Sequence, residues 1–245
     1  MKILLTNDDG YFAKGIQYLK GFLSNKGHEV YIVAPKHEKS AASSSLTIRG
    51  TLKKEKIEKD THAVDGTPVD SVKLGLATWD KGGYPDLVIS GINLGTNLGT
   101  DTLYSGTVGA ALDAAIMGYR SLALSTNREF IDEGPGDDFD KYLDKAIELA
   151  MSNHIPKHTM LNVNIPRSDI KGVKFIQTGM VIYRGDYEPC QKEENAYCLS
   201  GKRDDKFNLT NDVDDRYFYE NYMTVTPLTY NLTDYETLKK IAKDS

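Results

Sequence analysis

The chain has 245 residues and a formal net charge of −5, with 40% apolar and 27% charged residues. This length suits one buried α/β domain with room for an accessory subdomain, and the composition excludes a disordered chain and a membrane-spanning one. The negative charge argues against the broad basic surface that binds nucleic acid polymers.

Features that direct a protein out of the cytoplasm or into a membrane are not evident in the sequence. The first residues, Met1 to Leu5, lack the basic and long apolar segments of a secretory signal. No apolar run approaches the roughly 20 residues that cross a bilayer. Cys190 and Cys198 do not resemble a disulfide framework or a zinc site, and we expect them to be structural or inert rather than catalytic. The sequence therefore predicts a cytoplasmic protein without a membrane partner.

Strands and helices alternate along the first two thirds of the chain. Apolar and β-branched runs predict strands at residues 3–6, 29–34, 87–90, 121–125 and 161–165. Helical spacing of apolar residues predicts helices at about 14–25, 68–77, 107–117 and 142–151, the second of them capped by Thr67. The charge run at 53–56 is typical of a solvated hairpin or strand edge. Alternation of this kind predicts an α/β fold with a mostly parallel sheet flanked by helices.

The pattern changes after about residue 169. Short apolar stretches alternate with long polar segments, and tyrosines are concentrated there. This pattern predicts extended hairpins and a closing helix at about 234–242, capped by Thr233. The region from about 169 to 245 is interpreted as a protruding arm of a single 1–245 domain. Its tyrosines are consistent with an oligomer interface or with ordinary strand surface, and both interpretations stay open.

The first candidate functional segment follows the first strand directly and contains Asn7, Asp8, Asp9 and Gly10. Adjacent carboxylates repel each other unless a proton or a cation lies between them. At the carboxyl end of a strand they could share one hard cation such as Mg²⁺ or Mn²⁺. A simple turn is the alternative, because Asn, Asp and Gly all favour turns.

Two further loops follow the second and third strands. The first, at 35–45, combines basic groups with hydroxyls, and its Ser40 could bind a metal or a phosphate oxygen. The second, at 90–107, contains Asn93 and Asn97 and ends in Ser105, Gly106 and Thr107, where a helix begins. Glycines and a helix N-terminus place N–H donors toward an anion. A polar surface loop and a flexible glycine loop are the alternatives.

The placement of these three loops is more informative than any one of them. All follow the carboxyl ends of predicted parallel strands, which face a common crevice in an open α/β sheet. The assembled crevice would hold carboxylates, neutral oxygen ligands and anion-binding N–H groups. That composition suits a phosphate bridged to a metal ion.

Several motifs in register then make the chain resemble the SurE (survival protein E) family of metal-dependent 5′/3′-nucleotidases. The motifs span residues 3–10 with Gly15 and Ile16, 33–35 with Ser40, 66–68, 85–99, 104–111, 161–166 and 225–228. The resemblance covers nearly the whole chain. It implies a Rossmann-like core and a C-terminal arm exchanged between subunits of a homodimer or homotetramer.

The resemblance also implies a site and an activity. It implies one divalent metal ion per subunit, most simply Mg²⁺ or Mn²⁺, bound by Asp8, Asp9, Ser40 and Asn93. Asn97 and the stretch Ser105, Gly106 and Thr107 would lie near the phosphate. The expected substrates are nucleoside 5′- and 3′-monophosphates, together with short polyphosphate. Asp8 and Asp9 are the expected catalytic residues, and one of them could act as a general base or as a nucleophile.

Three departures from the family pattern bear on substrate preference rather than on the metal. Lys39 precedes Ser40 where the family usually has Arg, and Lys cannot make the same bidentate phosphate contact. The arginine-bearing segment after the late strand reads differently at 177–181. The Gly-Thr-Asp element is matched by Thr210, Asn211 and Asp212.

Two other classes of protein remain as alternatives. A receiver-like signalling module also places acidic residues after its first strand, and it would take up phosphate stoichiometrically. A non-catalytic nucleotide-binding protein would bind nucleotide without releasing phosphate.

Overall fold

The computed structural model describes residues 1–127, 129–184, 187–190, 195–199, 202–204 and 211–243. Strands in these parts of the chain are, in order, β1 (Lys2–Thr6), β2 (Glu29–Pro35), β3 (Lys54–Glu58), β4 (Thr61–Val64), β5 (Leu87–Leu94), β6 (Ser121–Thr126), β7 (Thr159–Ile165), β8 (Val173–Phe175), β9 (Ile182–Arg184), β10 (Tyr187–Pro189), β11 (Tyr197–Leu199), β12 (Lys202–Asp204) and β13 (Met223–Thr229). Helices are α1 (Lys14–Asn25), α2 (Pro68–Ala77), α3 (Gly106–Ile116), α4 (Phe130–Glu133), α5 (Phe139–Ala150), α6 (Asp214–Tyr219) and α7 (Tyr235–Ile241), with a 3₁₀ turn at Gly99–Leu103.

The central sheet of the described residues has the strand order β3-β4-β2-β1-β5-β6-β7-β13-β8. The six strands from β4 to β7 are mutually parallel, while β3 and β13 each run antiparallel to the strand beside them in that group. The chain moves outward in one direction from β1 through β2 and β4, and in the other from β5 through β6 and β7. The order therefore reverses between β1 and β5, the position where open α/β sheets bind ligands.

Two helical layers cover the sheet and bury its apolar strands. On one face, Leu19 and Leu23 of α1 and Leu143 of α5 pack in the same cluster as sheet residues including Ile89. On the other face, Val72 of α2 and Ala114 of α3 pack against the strands. Strands that are covered on both faces consist almost entirely of apolar residues, so they could be predicted from the sequence. The predicted mostly parallel α/β fold is confirmed.

Local signals placed several element ends correctly. Thr67 caps α2 through a capping box with Asp70, as its position before Pro68 predicted. The predicted strand edge at 53–56 is β3, an exposed antiparallel edge strand. At α7 the prediction of the cap was wrong, because Asp234 rather than Thr233 accepts the first backbone N–H groups. None of the described helices is long and apolar enough to span a membrane.

The region after residue 169 combines sheet strands with small hairpins. β13 pairs with β7 and β8 with β13, so both belong to the central sheet. β9 with β12 and β10 with β11 form two separate antiparallel ribbons. The sequence did not resemble a disulfide framework, but Cys190 and Cys198 form a disulfide with their Cα atoms 5.4 Å apart, so they are structural rather than inert. The β10–β11 pairing brings them together, which a spacing of eight residues did not reveal.

Candidate active site

The segment after β1 forms a tight turn at the point where the sheet order reverses. Asn7 closes this turn, since its side chain donates to the Gly10 carbonyl at 2.8 Å and accepts from the Gly10 N–H at 3.2 Å. Gly10 has φ = +102°, a conformation that favours glycine. The turn and the functional interpretation of this segment are therefore compatible, because the turn is what presents Asp8 and Asp9.

Asp8 lies against the first turn of α3. Its Oδ1 accepts a hydrogen bond from the Thr107 hydroxyl at 2.6 Å, and its Oδ2 accepts from the Thr107 N–H at 3.3 Å. A Cβ on Gly106 would lie 3.0 Å from the Asp8 Cβ, a tight contact, so glycine favours this close approach. Asp8 is only 5% exposed, and Asp9 beside it is half-buried. The helix N-terminus and the carboxylate thus meet as the sequence predicted.

Burial dominates the electrostatics of Asp8. It raises the pKa of the Asp8 carboxyl, because the charged form loses its hydration. The Thr107 hydrogen bonds oppose that rise in pKa, and the negative charge of Glu38 adds to it. An acid in this position is energetically suited to having a cation beside it, since a positive charge would offset the cost of its burial.

The loop that follows β2 reaches the same turn through its backbone. The Lys39 N–H donates to the Asp8 carbonyl at 2.7 Å. Ser40 comes next and is exposed, and its hydroxyl donates to Glu38 Oε1 at 2.5 Å. Further along, the Ser43 N–H donates to the Tyr104 carbonyl at 3.0 Å, which ties this loop to the segment that leads into α3.

The third segment starts inside β5, which was predicted to end at residue 90 but continues to Leu94 and so includes Asn93. Thr6 of β1 pairs with Ser90 of β5, and the β5–β6 register shifts between Ser90 and Asn93. Asn93 is half-buried, and its Nδ2 donates to the Gly95 carbonyl at 2.7 Å. With the amide nitrogen committed to that bond, the Asn93 Oδ1 is the atom suited to act as a ligand.

Asn97, which was predicted to lie near the phosphate, is almost completely buried. It is 6% exposed, its Nδ2 donates to Ser125 Oγ at 2.8 Å, and its N–H donates to Asn164 Oδ1 at 2.8 Å. Its carbonyl accepts from the side-chain amides of Asn162 and Asn164, at 2.8 and 3.0 Å. These bonds fix the base of the glycine loop to the ends of β6 and β7.

The end of the third loop is the N-terminus of α3. Ser105 caps the helix, its Oγ accepting from the Val108 N–H at 3.1 Å while its own proton remains available to a ligand. Gly106 and Thr107 form the first turn. Both Thr107 donors point at Asp8, so in this structure Thr107 orients a carboxylate. The structure thus brings Asp8, Lys39 and Thr107 into contact.

Comparisons with known proteins show the family to which the chain belongs. The family model described as Survival protein SurE matches residues 3–185.

The chain belongs to the SurE family.

Relatives with known names are similar over essentially the whole chain. A protein named 5′-nucleotidase SurE from Caldanaerobacter subterraneus subsp. tengcongensis is 39% identical, with 98% of this chain and 96% of the relative covered. Another of that name, from Microcystis aeruginosa, is 38% identical with 100% and 97% covered. The crystal structure of the SurE protein from Aquifex aeolicus has a TM-score of 0.83 at 36% identity and covers 99% of both chains.

One site-adjacent residue of this SurE chain was missed by sequence reasoning. Asp214, fully buried at the start of α6, accepts backbone hydrogen bonds from Gly99 at 3.0 Å, Gly179 at 2.8 Å and Asp215 at 2.8 Å. It therefore joins the end of the glycine loop to the segment at 177–181. Burial raises the pKa of the Asp214 carboxyl, and the three N–H donors act against that rise.

The sequence had drawn attention to a different carboxylate nearby. Asp212 was matched to the family's acidic element, but its side chain accepts from the exposed Tyr217 hydroxyl at 2.9 Å. Thr210 of that element lies outside the described residues. The only sequence signal for Asp214 was a pair of acids, Asp214 and Asp215, in the first turn of a helix, where they suit the helix dipole.

The donor set of the SurE site is acidic but also rich in neutral oxygens. Within the parts of the chain that the structure describes, no group of three or more His, Cys, Asp or Glu side chains could hold a metal. Two carboxylates and a hydroxyl lie on the loops after β1 and β2, and an amide oxygen lies near the end of β5. Hard cations such as Mg²⁺ and Mn²⁺ prefer oxygen ligands of these kinds, so the residues present fit such an ion.

Proposed function

We propose that this chain is a 5′-nucleotidase, a phosphomonoesterase that hydrolyses nucleoside 5′-monophosphates, and also 3′-monophosphates, to nucleoside and phosphate. The observation that carries the proposal is the approach of Asp8 to the N-terminus of α3 at the sheet's switch point. The full-length similarity to proteins named 5′-nucleotidase SurE supports the same activity.

We propose that Asp8, Asp9, Ser40 and Asn93 hold one divalent cation, Mg²⁺ or Mn²⁺, in each subunit. The buried Asp8 supplies charge, Ser40 supplies a neutral oxygen from the loop after β2, and Asn93 supplies one from the end of β5. When bound, such a cation supplies Lewis-acid polarisation of the phosphoryl group. The side chains support one another in this arrangement, because Thr107 fixes Asp8 and the Lys39 N–H fixes the turn that carries it.

The phosphate contacts come from the other side of the crevice, by which we mean the space between Asp8, Asn93 and the start of α3. The Gly106 N–H at the start of α3 and the hydroxyl proton of Ser105 suit an anion there, while the Thr107 and Val108 N–H groups bond to Asp8 and Ser105. Asn97 secures the loop that precedes this turn and so keeps the donors in place. Thr107 contributes to the reaction by holding Asp8 in one orientation.

A second copy of the chain is the proposed macromolecular partner, in a homodimer or homotetramer. Every described residue of α7 is exposed, including the apolar Leu238 at 51% and Ile241 at 61%. Leu232, just before α7, is 83% exposed. An amphipathic helix without a covered apolar side is destabilised alone, so a copy of the same arm is a suitable cover.

The test of the activity is phosphate release from a panel of nucleoside 5′- and 3′-monophosphates, with and without a chelator. A short polyphosphate and a long oligonucleotide with blocked ends, at equal phosphate concentration, complete the panel. We expect repeated turnover of mononucleotides that the chelator abolishes and added Mg²⁺ or Mn²⁺ restores. Polyphosphate should be a secondary substrate, because its terminal phosphate presents the same chemistry.

Three other results would each overturn the proposal. Faster cleavage of the blocked oligonucleotide would make the protein a nuclease. Uptake of one phosphate per chain without turnover would indicate a receiver-like module. Nucleotide binding without phosphate release would indicate a binding protein.

A further inference from the structure

A large aromatic side chain stands exposed beside the acidic turn. Phe12 is 60% exposed, although phenylalanine side chains are usually well buried in folded proteins. A single exposed apolar residue on an open surface would carry no meaning. The position of Phe12 is what matters, because it follows the carboxylate pair by three residues and packs on Gly10 of the turn that carries this pair.

The ring of Phe12 is held at the junction of two site loops. A Cβ on Gly10 would lie 3.3 Å from the Phe12 Cε1, 3.6 Å from the Pro35 carbonyl oxygen and 3.7 Å from the His37 carbonyl carbon. The ring edge therefore covers the Gly10 backbone, where the loop after β1 meets the loop that carries Ser40.

Neighbouring contacts fix the orientation of this ring. The Tyr11 ring packs edge-to-face against Phe12, with centroids 5.4 Å apart and planes at 85°. The Ala13 N–H donates to the Gly10 carbonyl at 3.1 Å, which closes a turn around Phe12. The Tyr11 N–H donates to the Pro35 carbonyl at 3.0 Å and ties this turn to β2. Phe12 thus presents an aromatic face that is ordered before any ligand binds, which lowers the entropy cost of binding.

The ring of Phe12 lies close to Asp8. It packs on Gly10, which is two residues from Asp8, so the Cα atoms of Gly10 and Asp8 lie at most about 7 Å apart. With its phosphate at the start of α3, next to Asp8, a nucleotide would extend its ribose and base outward from that point. An exposed aromatic ring this close to Asp8 is within reach of the base, which is better placed against the ring than in water.

We propose that Phe12 stacks against the nucleobase of the substrate; this inference rests on the proposed nucleotidase activity. Stacking on an aromatic side chain tolerates every base, because each base has a π-face. Phe12 has no polar group with which to read base edges. The enzyme should therefore accept all four bases and favour purines over pyrimidines, since the purine face is larger.

The test compares the wild type with Phe12→Ala, Phe12→Leu and Phe12→Tyr, using AMP and CMP as substrates and inorganic phosphate as a competitive inhibitor. We expect kcat/KM for AMP to fall about tenfold in Phe12→Ala, mainly through KM, and less for CMP. Phe12→Tyr should restore kcat/KM, whereas Phe12→Leu, which is apolar but not aromatic, should not. The inhibition constant of phosphate should stay unchanged, because phosphate has no base.

Two matched controls make the outcome specific. Tyr84→Ala removes another exposed aromatic, 76% exposed and located at the amino-terminal side of β5, and should leave every constant unchanged. Tyr104→Ala removes another exposed aromatic, directly before Ser105, which is the alternative candidate for stacking against the base. A loss confined to Tyr104→Ala would overturn the inference, and so would an unchanged kcat/KM in Phe12→Ala.

The experiment also separates this inference from the proposed function. A wild type that releases no phosphate from AMP or CMP overturns both. An active wild type whose Phe12→Ala variant binds phosphate more weakly in step with AMP places Phe12 in the phosphate site and overturns the stacking role alone. Phe12 is mostly exposed, and thermal melting of each variant identifies any loss that reflects unfolding.

Discussion

The contact between Thr107 and Asp8 gives the sharpest prediction, through the substitution Thr107→Val. Valine keeps the shape and β-branching of threonine, but it removes the hydroxyl that donates to Asp8 Oδ1 at 2.6 Å. A hydrogen bond to a charged group contributes about 1.5–3 kcal/mol to stability. For a domain of this size each kcal/mol changes Tm by about 2–4 °C, so we expect Tm to fall by roughly 5–10 °C.

The same substitution should raise the metal concentration needed for half-maximal activity more than it lowers kcat at saturating metal. The Thr107 hydrogen bond lowers the pKa of the Asp8 carboxyl, so its loss raises that pKa and frees the carboxylate to turn. If the misoriented carboxylate makes the free energy of metal binding less favourable by about 1.4 kcal/mol, the metal concentration for half-maximal activity rises about tenfold. At saturating metal, most of kcat should return. The assay is phosphate release from a mononucleotide across a Mn²⁺ titration, with melting followed by circular dichroism.

Two variants separate the specific role of the Thr107 hydroxyl from the general effect of removing a buried hydroxyl. Thr107→Ser keeps the donor and should restore the metal titration. Thr226→Val removes a buried hydroxyl on β13 that donates to the Ile176 carbonyl at 2.8 Å, away from the proposed ligands. It should lower Tm without changing metal activation. A Thr107→Val protein with the wild-type metal titration would refute the view that Thr107 positions a metal ligand.

Three further predictions concern the loops, the buried acid and the arm. Asn93→Ala should raise the metal concentration for half-activity at least about tenfold; an unchanged titration would remove Asn93 from the site. Asp214→Asn should cost about 2 kcal/mol near neutral pH, because an amide cannot accept all three N–H groups. Since burial raises the pKa of Asp214, the folded wild type binds its proton more tightly than the unfolded chain, and its stability falls as pH rises through that pKa. The Tm gap between wild type and Asp214→Asn should therefore be wider near pH 5 than near pH 7.5, and a narrower gap would contradict the raised pKa. Ending the chain after Tyr230 removes α7 and should reduce the subunit count in light scattering; an unchanged count would show that α7 is not an assembly element.

Most of the core was predictable because its signals are local. Strands buried on both faces are apolar throughout, and Thr67 with Pro68 marks a helix start within two residues. The convergence of three loops on one edge also followed, because the carboxyl ends of parallel strands share an edge. The sequence did not reveal that β1 and β5 are adjacent, which pairs Thr6 with Ser90 across 84 residues of chain.

The features that sequence reasoning missed depend on contacts between distant backbones. The role of Asp214 depends on the hydrogen bonds that its carboxylate accepts from the N–H groups of Gly99 and Gly179. Gly99 is 115 residues away along the chain. Side-chain type alone made Asp212 as good a candidate. The disulfide between Cys190 and Cys198 depends on the register of a short ribbon in which Tyr187 pairs with Leu199. The spacing of residues along the sequence indicates neither the hydrogen bonds of Asp214 nor this disulfide.

Thr107 illustrates a finer difference. Its place at a helix N-terminus predicted a phosphate contact, and that remains a prediction. The structure places both of its donors on Asp8, because Gly106 allows the helix to approach the acidic turn closely. A role in orienting the acid was visible only once the packing of α3 was known.

The central claim is that Asp8 and Asp9 together hold the cation that hydrolysis of a mononucleotide needs. The most direct measurement is AMP hydrolysis by the wild type, Asp8→Asn and Asp9→Asn, side by side, with Mn²⁺ binding to each followed by calorimetry. We expect that both variants fold, lose turnover by orders of magnitude and bind Mn²⁺ at least about tenfold more weakly. Near-normal hydrolysis of AMP by both variants, or unchanged Mn²⁺ binding, would contradict it.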